Sequence, residues 1–346
     1  MSFRLMIDRP RISLRAMAGA LCSLLLLAPA LGCDRASQDP AVPPVASASA
    51  AADEVYFGPK FEPDRVVTYL FRADNMSLQQ AAGQQMIERS DTEYVMRFTV
   101  TQVGEDGSAS LTMTYDRFYT EGESFFGGKY LFDSTQTAPD PETDAQITEA
   151  LTKLAACTIT FKSDAAGTVD PASVTGTEEA VAAMEALNPL QGRAGEYRAE
   201  QLAQLFSSTW RVGNSSYTRD INTPWQDVEK TPVHGLGTWT FTNDYQKLQR
   251  SEDRVVLGMK LVMELDFQPV MDETIEEQLK ILETKFDMLK GDWRYTWDPR
   301  QQELIERVGE IEFKWLIVQE PIFEGDNPVR TEQHQHVKTI VKRLDE

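Results

Sequence analysis

VVLGMKLVMELDF, residues 255–267, is the stretch whose pattern decides the fold. Val255, Leu257, Met259, Leu261, Met263, Leu265 and Phe267 hold one parity without a break, against Gly258, Lys260, Glu264 and Asp266. Side chains of a strand alternate between two faces, so this period of two specifies a long strand with one buried face. The same pattern extends in both directions. Upstream, Trp239 and Phe241 interleave with Thr238, Thr240 and Thr242. Downstream, Trp293, Tyr295 and Trp297 make a strand, Asp298 to Gln302 turns it, and Ile311, Phe313, Trp315 and Ile317 answer. A last strand is predicted over about Thr331 to Leu344.

The first half of the chain reads similarly. Val67, Tyr69 and Phe71 alternate with Thr68 and Arg72. Tyr94, Met96, Phe98 and Val100 lead to a turn at Gly104 to Gly107, and Leu111, Met113 and Tyr115 return as the other arm of a hairpin. A second hairpin is predicted from Cys157–Phe161 and Val169–Val174, turning at Asp164 to Gly167. Helices are expected over Asp140–Leu154, Thr177–Leu187, Tyr197–Phe206 and Asp272–Thr284, the second stopped by Pro189 and the last striped by Ile275, Leu279 and Leu282. Gly213–Gly237, with Pro224 and Pro232, reads as a long irregular excursion dividing residues 55–346 into two related halves. The expected class is mainly β (α+β): a large curved antiparallel sheet or open barrel, with two to four inserted helices over its concave face and room for an apolar ligand.

The amino terminus carries a different message. Arg4, Arg9, Arg11 and Arg15 precede an uncharged run, Ala16–Leu31, with Leu24 to Leu27 at its centre, which is the layout of an export signal. The run is shorter than the roughly 20 residues of a spanning helix. Ala28, Pro29 and Ala30 would suit release as a free secreted protein. Ala30, Leu31, Gly32 and Cys33 resemble the lipobox of bacterial lipoproteins, with Ala30 where that family usually has Leu. The resemblance implies that residues 1–32 are removed and that Cys33 is lipidated and begins the mature chain. Asp34 resembles the enterobacterial signal for retention in the inner membrane. Residues 33–54, rich in Ala, Ser and Pro, read as a disordered linker.

This leader, with VTYLF (67–71), GEDGSASLTMTYDRF (104–118), YLFDS (130–134) and DAAGTV (164–169), resembles a bacterial family of uncharacterised predicted lipoproteins, a domain of unknown function, over most of residues 56–346. That family has no established activity, so the resemblance implies a location and no catalytic residue. In architecture alone, the expected sheet is similar to the clamshell sheets of periplasmic lipoprotein carriers.

Charge narrows the class further. The chain has a net charge of −20, and residues 1–32 hold four Arg and one Asp, which leaves −23 on the body. Nucleic-acid binding needs a basic face, and adsorption to anionic lipid needs the same, so the membrane link is expected to be covalent. Of three cysteines, only Cys157 lies outside the leader and lipobox, so no internal disulfide forms. Its parity with Ile159 and Phe161 predicts a buried, inert thiol.

No GxSxG elbow, phosphate loop, dinucleotide fingerprint or HExxH is present, and nothing calls for a cofactor. His334 and His336 share a strand face at the spacing of a metal pair, with Glu310 and Glu312 as oxygen donors and His234 in a loop. A solvated surface strand accounts for the same pattern. Trp293, Tyr295, Trp297, Phe313 and Trp315 could wall a ligand groove or pack as core. Tyr115, Asp116, Arg117 and Asp133 suggest an Asp–Arg pair fixing a turn. The sequence thus points to a lipid-anchored envelope protein that binds an apolar ligand, a peptide or a partner protein without catalysis. The alternative is a metal-assisted or carboxylate-dependent hydrolase.

Overall fold

A computed structural model describes residues 53–81, 84–124, 128–187, 191–213, 218–233, 237–267, 281–320 and 327–344. The leader, Cys33, most of the linker and His234 lie outside the described residues. Two antiparallel meanders build the fold. The first comprises β2 (Val66–Ala81), β3 (Gln84–Val103), β4 (Ala109–Ser124) and β5 (Gly128–Asp133), with β6 (Thr158–Ser163) also pairing with β4. The second comprises β8 (Trp225–Val233), β9 (Gly237–Arg250), β10 (Val255–Phe267), β11 (Ile281–Asp298), β12 (Glu303–Gln319) and β13 (Val329–Leu344). They join where β13 pairs with β2 over Thr331↔Ala81 to Leu344↔Thr68. The result is one open sheet of 11 strands, mainly β as expected. β1 (Glu54–Tyr56) and β7 (Thr218–Asp220) pair separately.

Helices occupy the inner face of the first meander. α1 (Ala145–Ala155) starts where Asp144 accepts from the Gln146 amide at 2.7 Å, and it buries Ile147, Ala150, Leu151 and Leu154. α2 (Glu178–Glu185) is a short amphipathic helix of about two turns that buries Ala180, Val181 and Met184. α3 (Ala199–Trp210) runs four residues beyond the expected end. Ser207 and Thr209 sit in its last turn with their hydroxyls bonded back to the Ala203 and Leu205 carbonyls, so these polar residues stay helical while buried. Phe206 and Trp210 then pack on Phe98 at 5.5 and 4.9 Å and on Phe161 at 4.6 and 5.8 Å.

The second meander buries its inner face differently. Trp239 of β9 meets Trp315 of β12 at 6.1 Å, although the two strands are three positions apart. At about 4.8 Å per strand, their backbones would lie about 14 Å apart in a flat sheet. The rings meet because the sheet curls inward. Phe57, just after β1, closes one end by packing on Trp225 and Trp297.

Several expectations are corrected. Gly213–Gly237 is not an irregular excursion, because it contains β7 and β8. β8 is an edge strand paired only with β9, and an edge is where a strand tolerates a proline such as Pro232. The helix expected over Asp272–Thr284 ends in strand, since Ile281, Glu283 and Thr284 pair with β12, while 272–280 fall outside the described residues. Val169–Val174 forms a 3-10 turn at Pro171–Ser173 between two isolated bridges rather than a strand, because Pro171 cannot donate. β2 and β3 continue through Asp74–Gln80 and Gln85–Ser90, where the inward parity turns polar at Asn75, Ser77 and Ser90 and the apolar Met76, Leu78 and Ile87 fall on the outer face, so the period-two reading of the inner face stops short.

Candidate ligand site

The site grows from an irregularity in β4. Val95 pairs with Arg117 but the next residue, Met96, pairs with Tyr115, so Asp116 is an extra residue, a β-bulge. Inward parity therefore passes from Leu111, Met113 and Tyr115 to Phe118 and Thr120. Asp116 points outward and pairs with Arg97 at 2.8 Å. Tyr115 lies at the break and borders two spaces.

The outer space is a groove of about 470 Å³ between the Leu131–Asp140 segment and α1, with Thr148 and Thr152 on its helical wall. Its carboxylates are engaged. Arg117 holds Asp133 at 2.9 Å and Glu93 at 2.7 Å, and Asp133 also accepts from the Thr135 amide and hydroxyl. The Arg117 hydrogen bond, aided by Thr135, lowers the Asp133 carboxyl from 3.8 to about 2. Thr143 donates to Asp140 at 2.8 Å. The Asp–Arg pair read in the sequence thus fixes the turn after β5.

The inner space is a cavity of about 40 Å³ between the sheet and the helices, with walls from Phe71, Ala73, Tyr94, Leu202 and Leu205. Asn75, Ser90 and Thr92 add polar groups along β2 and β3. Tyr94 and Tyr197 share a hydroxyl–hydroxyl hydrogen bond, and burial pushes the Tyr94 phenol well up. Arg193, in the single helical turn Gln191–Ala194, reaches the sheet. One Nη donates to Thr120 at 2.8 Å and Tyr130 at 2.6 Å, the other to Thr92 at 2.9 Å and, at 3.5 Å, to Glu196. A volume of 40 Å³ accommodates about one water-sized group.

The residues singled out from sequence are placed as follows. Trp293, Tyr295, Trp297, Phe313 and Trp315 all face inward, each 5% exposed or less. They form two levels rather than one row: Trp293 and Tyr295 oppose Gly309 and Arg307, whereas Phe313 and Trp315 oppose Met288 and Phe286. The indole N–H groups of Trp293 and Trp297 make no hydrogen bond. His334 and His336 lie on the outer face, each 2.7 Å from its own glutamate, Glu312 and Glu310. Lys290 also binds Glu310, and that hydrogen bond lowers the Glu310 carboxyl. Among the described residues, no group of three His, Cys, Asp or Glu is placed to hold a metal. Cys157 is half-buried just before β6, not fully buried. Its thiol donates to the Lys153 carbonyl at 3.3 Å, and burial raises its pKa.

Two arginines escaped the sequence reading. Arg193 sits in a segment without apolar periodicity. Arg307 occupies an inward position of β12, 3% exposed, donating to the Ser208 carbonyl at 3.0 Å near the end of α3 and standing over the Trp293 ring. A helix carboxyl terminus carries partial negative charge, which suits a buried cation there. An Arg on the apolar parity of a strand is the only sign that sequence offered.

A search against protein families found no match, and a search against curated proteins found none. Among solved structures, lipovitellin, described for its lipid–protein interactions, matches at 11% identity and a TM-score of 0.34 over 82% of this chain and 25% of that one. This chain thus spans about a quarter of the lipovitellin chain. An outer membrane channel from Pseudomonas putida matches at 8% identity and TM-score 0.22, over 86% of this chain and all of the other. A DUF1329 family protein from Desulfovibrio piger matches at 9% identity and TM-score 0.15, over 80% and 84% of the two chains. Among the described residues, no helix is long and apolar enough to cross a membrane.

Proposed function

We propose that this is a bacterial envelope lipoprotein, anchored through Cys33 and carrying a ligand-binding body that performs no chemistry. The leader and lipobox support the anchor. The membership in a family of predicted lipoproteins, suggested by the short sequence likenesses, belongs to the same proposal. One observation carries the binding reading: the apolar inner cavity and a 470 Å³ outer groove meet at a single side chain, Tyr115. Groove size falls in the range of small-molecule sites, about 300–1,000 Å³. The cavity alone is too small, so a ligand that reaches it displaces Tyr115 or lifts the segment from Gln191 to Trp210. Lipid on one thiol contributes about 0.8 kcal/mol per buried methylene, so two or three chains hold the protein to a membrane while the linker lets the body face water.

Mass spectrometry of the native product tests both parts. Acyl chains on Cys33 and an apolar small molecule released on denaturation are the expected results. An unmodified amino terminus or a retained leader overturns the anchor. A body that carries no ligand and binds no apolar dye overturns the binding reading.

A further inference from the structure

The cavity also bears on the charge of its ligand. Arg193 is the single cation among the residues that line it. Its close partners are the neutral hydroxyls of Thr92, Thr120 and Tyr130. The one carboxylate in reach, Glu196, meets a single Nη at 3.5 Å, and the Arg193 and Glu196 side chains are 16% and 18% exposed. The pair therefore stands at the mouth of the cavity rather than at its base. A guanidinium is matched best by two parallel hydrogen bonds to the oxygens of one carboxylate or phosphate, which Glu196 does not supply. A largely desolvated charge with a poorly placed counter-ion is costly to keep. The three hydroxyls orient the fork, and the apolar walls, Phe71, Ala73, Leu202 and Leu205, lie beside it.

We propose that the ligand is a single-chain amphiphile with an anionic head, carboxylate or phosphate, which docks on Arg193 and takes the place of Glu196. This rests on the binding reading above. The head meets Arg193 at the cavity, and head and chain both gain room as Leu202 and Leu205 of α3 move off the sheet.

The test uses the mature polypeptide, residues 33–346, with Cys33→Ser so that it stays unlipidated, titrated calorimetrically with dodecanoate, dodecyl phosphate and dodecanol. At least one anion is expected to bind about tenfold more tightly than the alcohol, equivalent to about 1.4 kcal/mol. Comparing the two anions identifies the head. Arg193→Gln is expected to remove that preference, so that the anions and dodecanol bind alike. Because Arg193 also clasps three strands, Glu196→Gln provides an independent check. It removes the competing carboxylate and is expected to tighten binding of the anions several-fold relative to dodecanol. Equal binding of anions and alcohol by the parent protein, or no tightening in Glu196→Gln, overturns the anionic head while leaving apolar binding intact. Failure of all three probes to bind overturns the binding reading itself.

Discussion

The two meanders solve the same problem in different ways. Each has an inner sheet face rich in aromatic residues that must leave water. In the first, helices inserted between strands cover it, with Phe206 and Trp210 seated on Phe98 and Phe161. In the second, the sheet curls until its own rings meet, Trp239 on Trp315 and on Phe286. The difference bears on where a ligand can enter. A helical cover is a separate layer that can lift, whereas rings within one curled sheet move only if the sheet uncurls. The described spaces lie on the helical side.

The largest effects should come from removing a ring on each side. Phe206→Ala and Trp239→Ala each remove a side chain at most 2% exposed, and each should cost about 3–5 kcal/mol in denaturant unfolding. They should differ in kind: Phe206→Ala should raise binding of an apolar dye to the folded protein by loosening α3, and Trp239→Ala should not. Equal dye binding would erase the distinction between the two regions.

Next comes Gly309→Ala. Gly309 pairs with Trp293, whose ring lies across it, and a Cβ there would overlap that ring. Overpacking of this sort costs about 1–3 kcal/mol, visible as a lower midpoint with an unchanged slope.

Asp133→Asn probes the groove. The folded carboxyl titrates at about 2 against an ordinary 3.8, because Arg117 favours its charged form. A depressed carboxyl contributes stability that is present above about pH 4 and lost as pH falls through 2. The shift corresponds to about 2 kcal/mol, reduced toward about 1 because Arg117 is 37% exposed. The parent should therefore exceed the variant by about 1–2 kcal/mol at pH 7, with the gap closing near pH 2. A gap that does not depend on pH would count against the pair. The smallest effect belongs to the outer face, where His336→Gln removes a partly exposed pair with Glu310 and should change stability by less than about 0.5 kcal/mol at pH 7.

Legibility followed the same division. β10 was readable because its side chains alternate between a buried and a wet face over 13 residues. The second half of β3 and most of β4 were readable for the same reason. The extensions Asp74–Gln80 and Gln85–Ser90 were not, because their inner face carries the polar Asn75, Ser77 and Ser90 while Met76, Leu78 and Ile87 fall on the outer parity, out of step with the apolar residues before them. β8 was missed because Pro224 and Pro232 suggest a loop unless the segment is known to lie at an edge. The site was almost illegible. Tyr115 becomes a boundary only through the bulge at Asp116, and Arg193 meets Thr92, Thr120 and Tyr130 only once three strands lie side by side.

The sequence alone determined the strand-rich class and the pattern that sends one face of each long strand inward, because each is a local matter of polarity and spacing. Only the tertiary structure decided that the two meanders join through β2 and β13, that one face is covered by helices and the other by its own curl, and that Arg193 stands at the mouth of an apolar cavity. Those outcomes depend on contacts between residues up to a few hundred positions apart in the chain, as in the Gln335–Asn75 hydrogen bond across that junction, and no local period encodes which distant partner a strand will find.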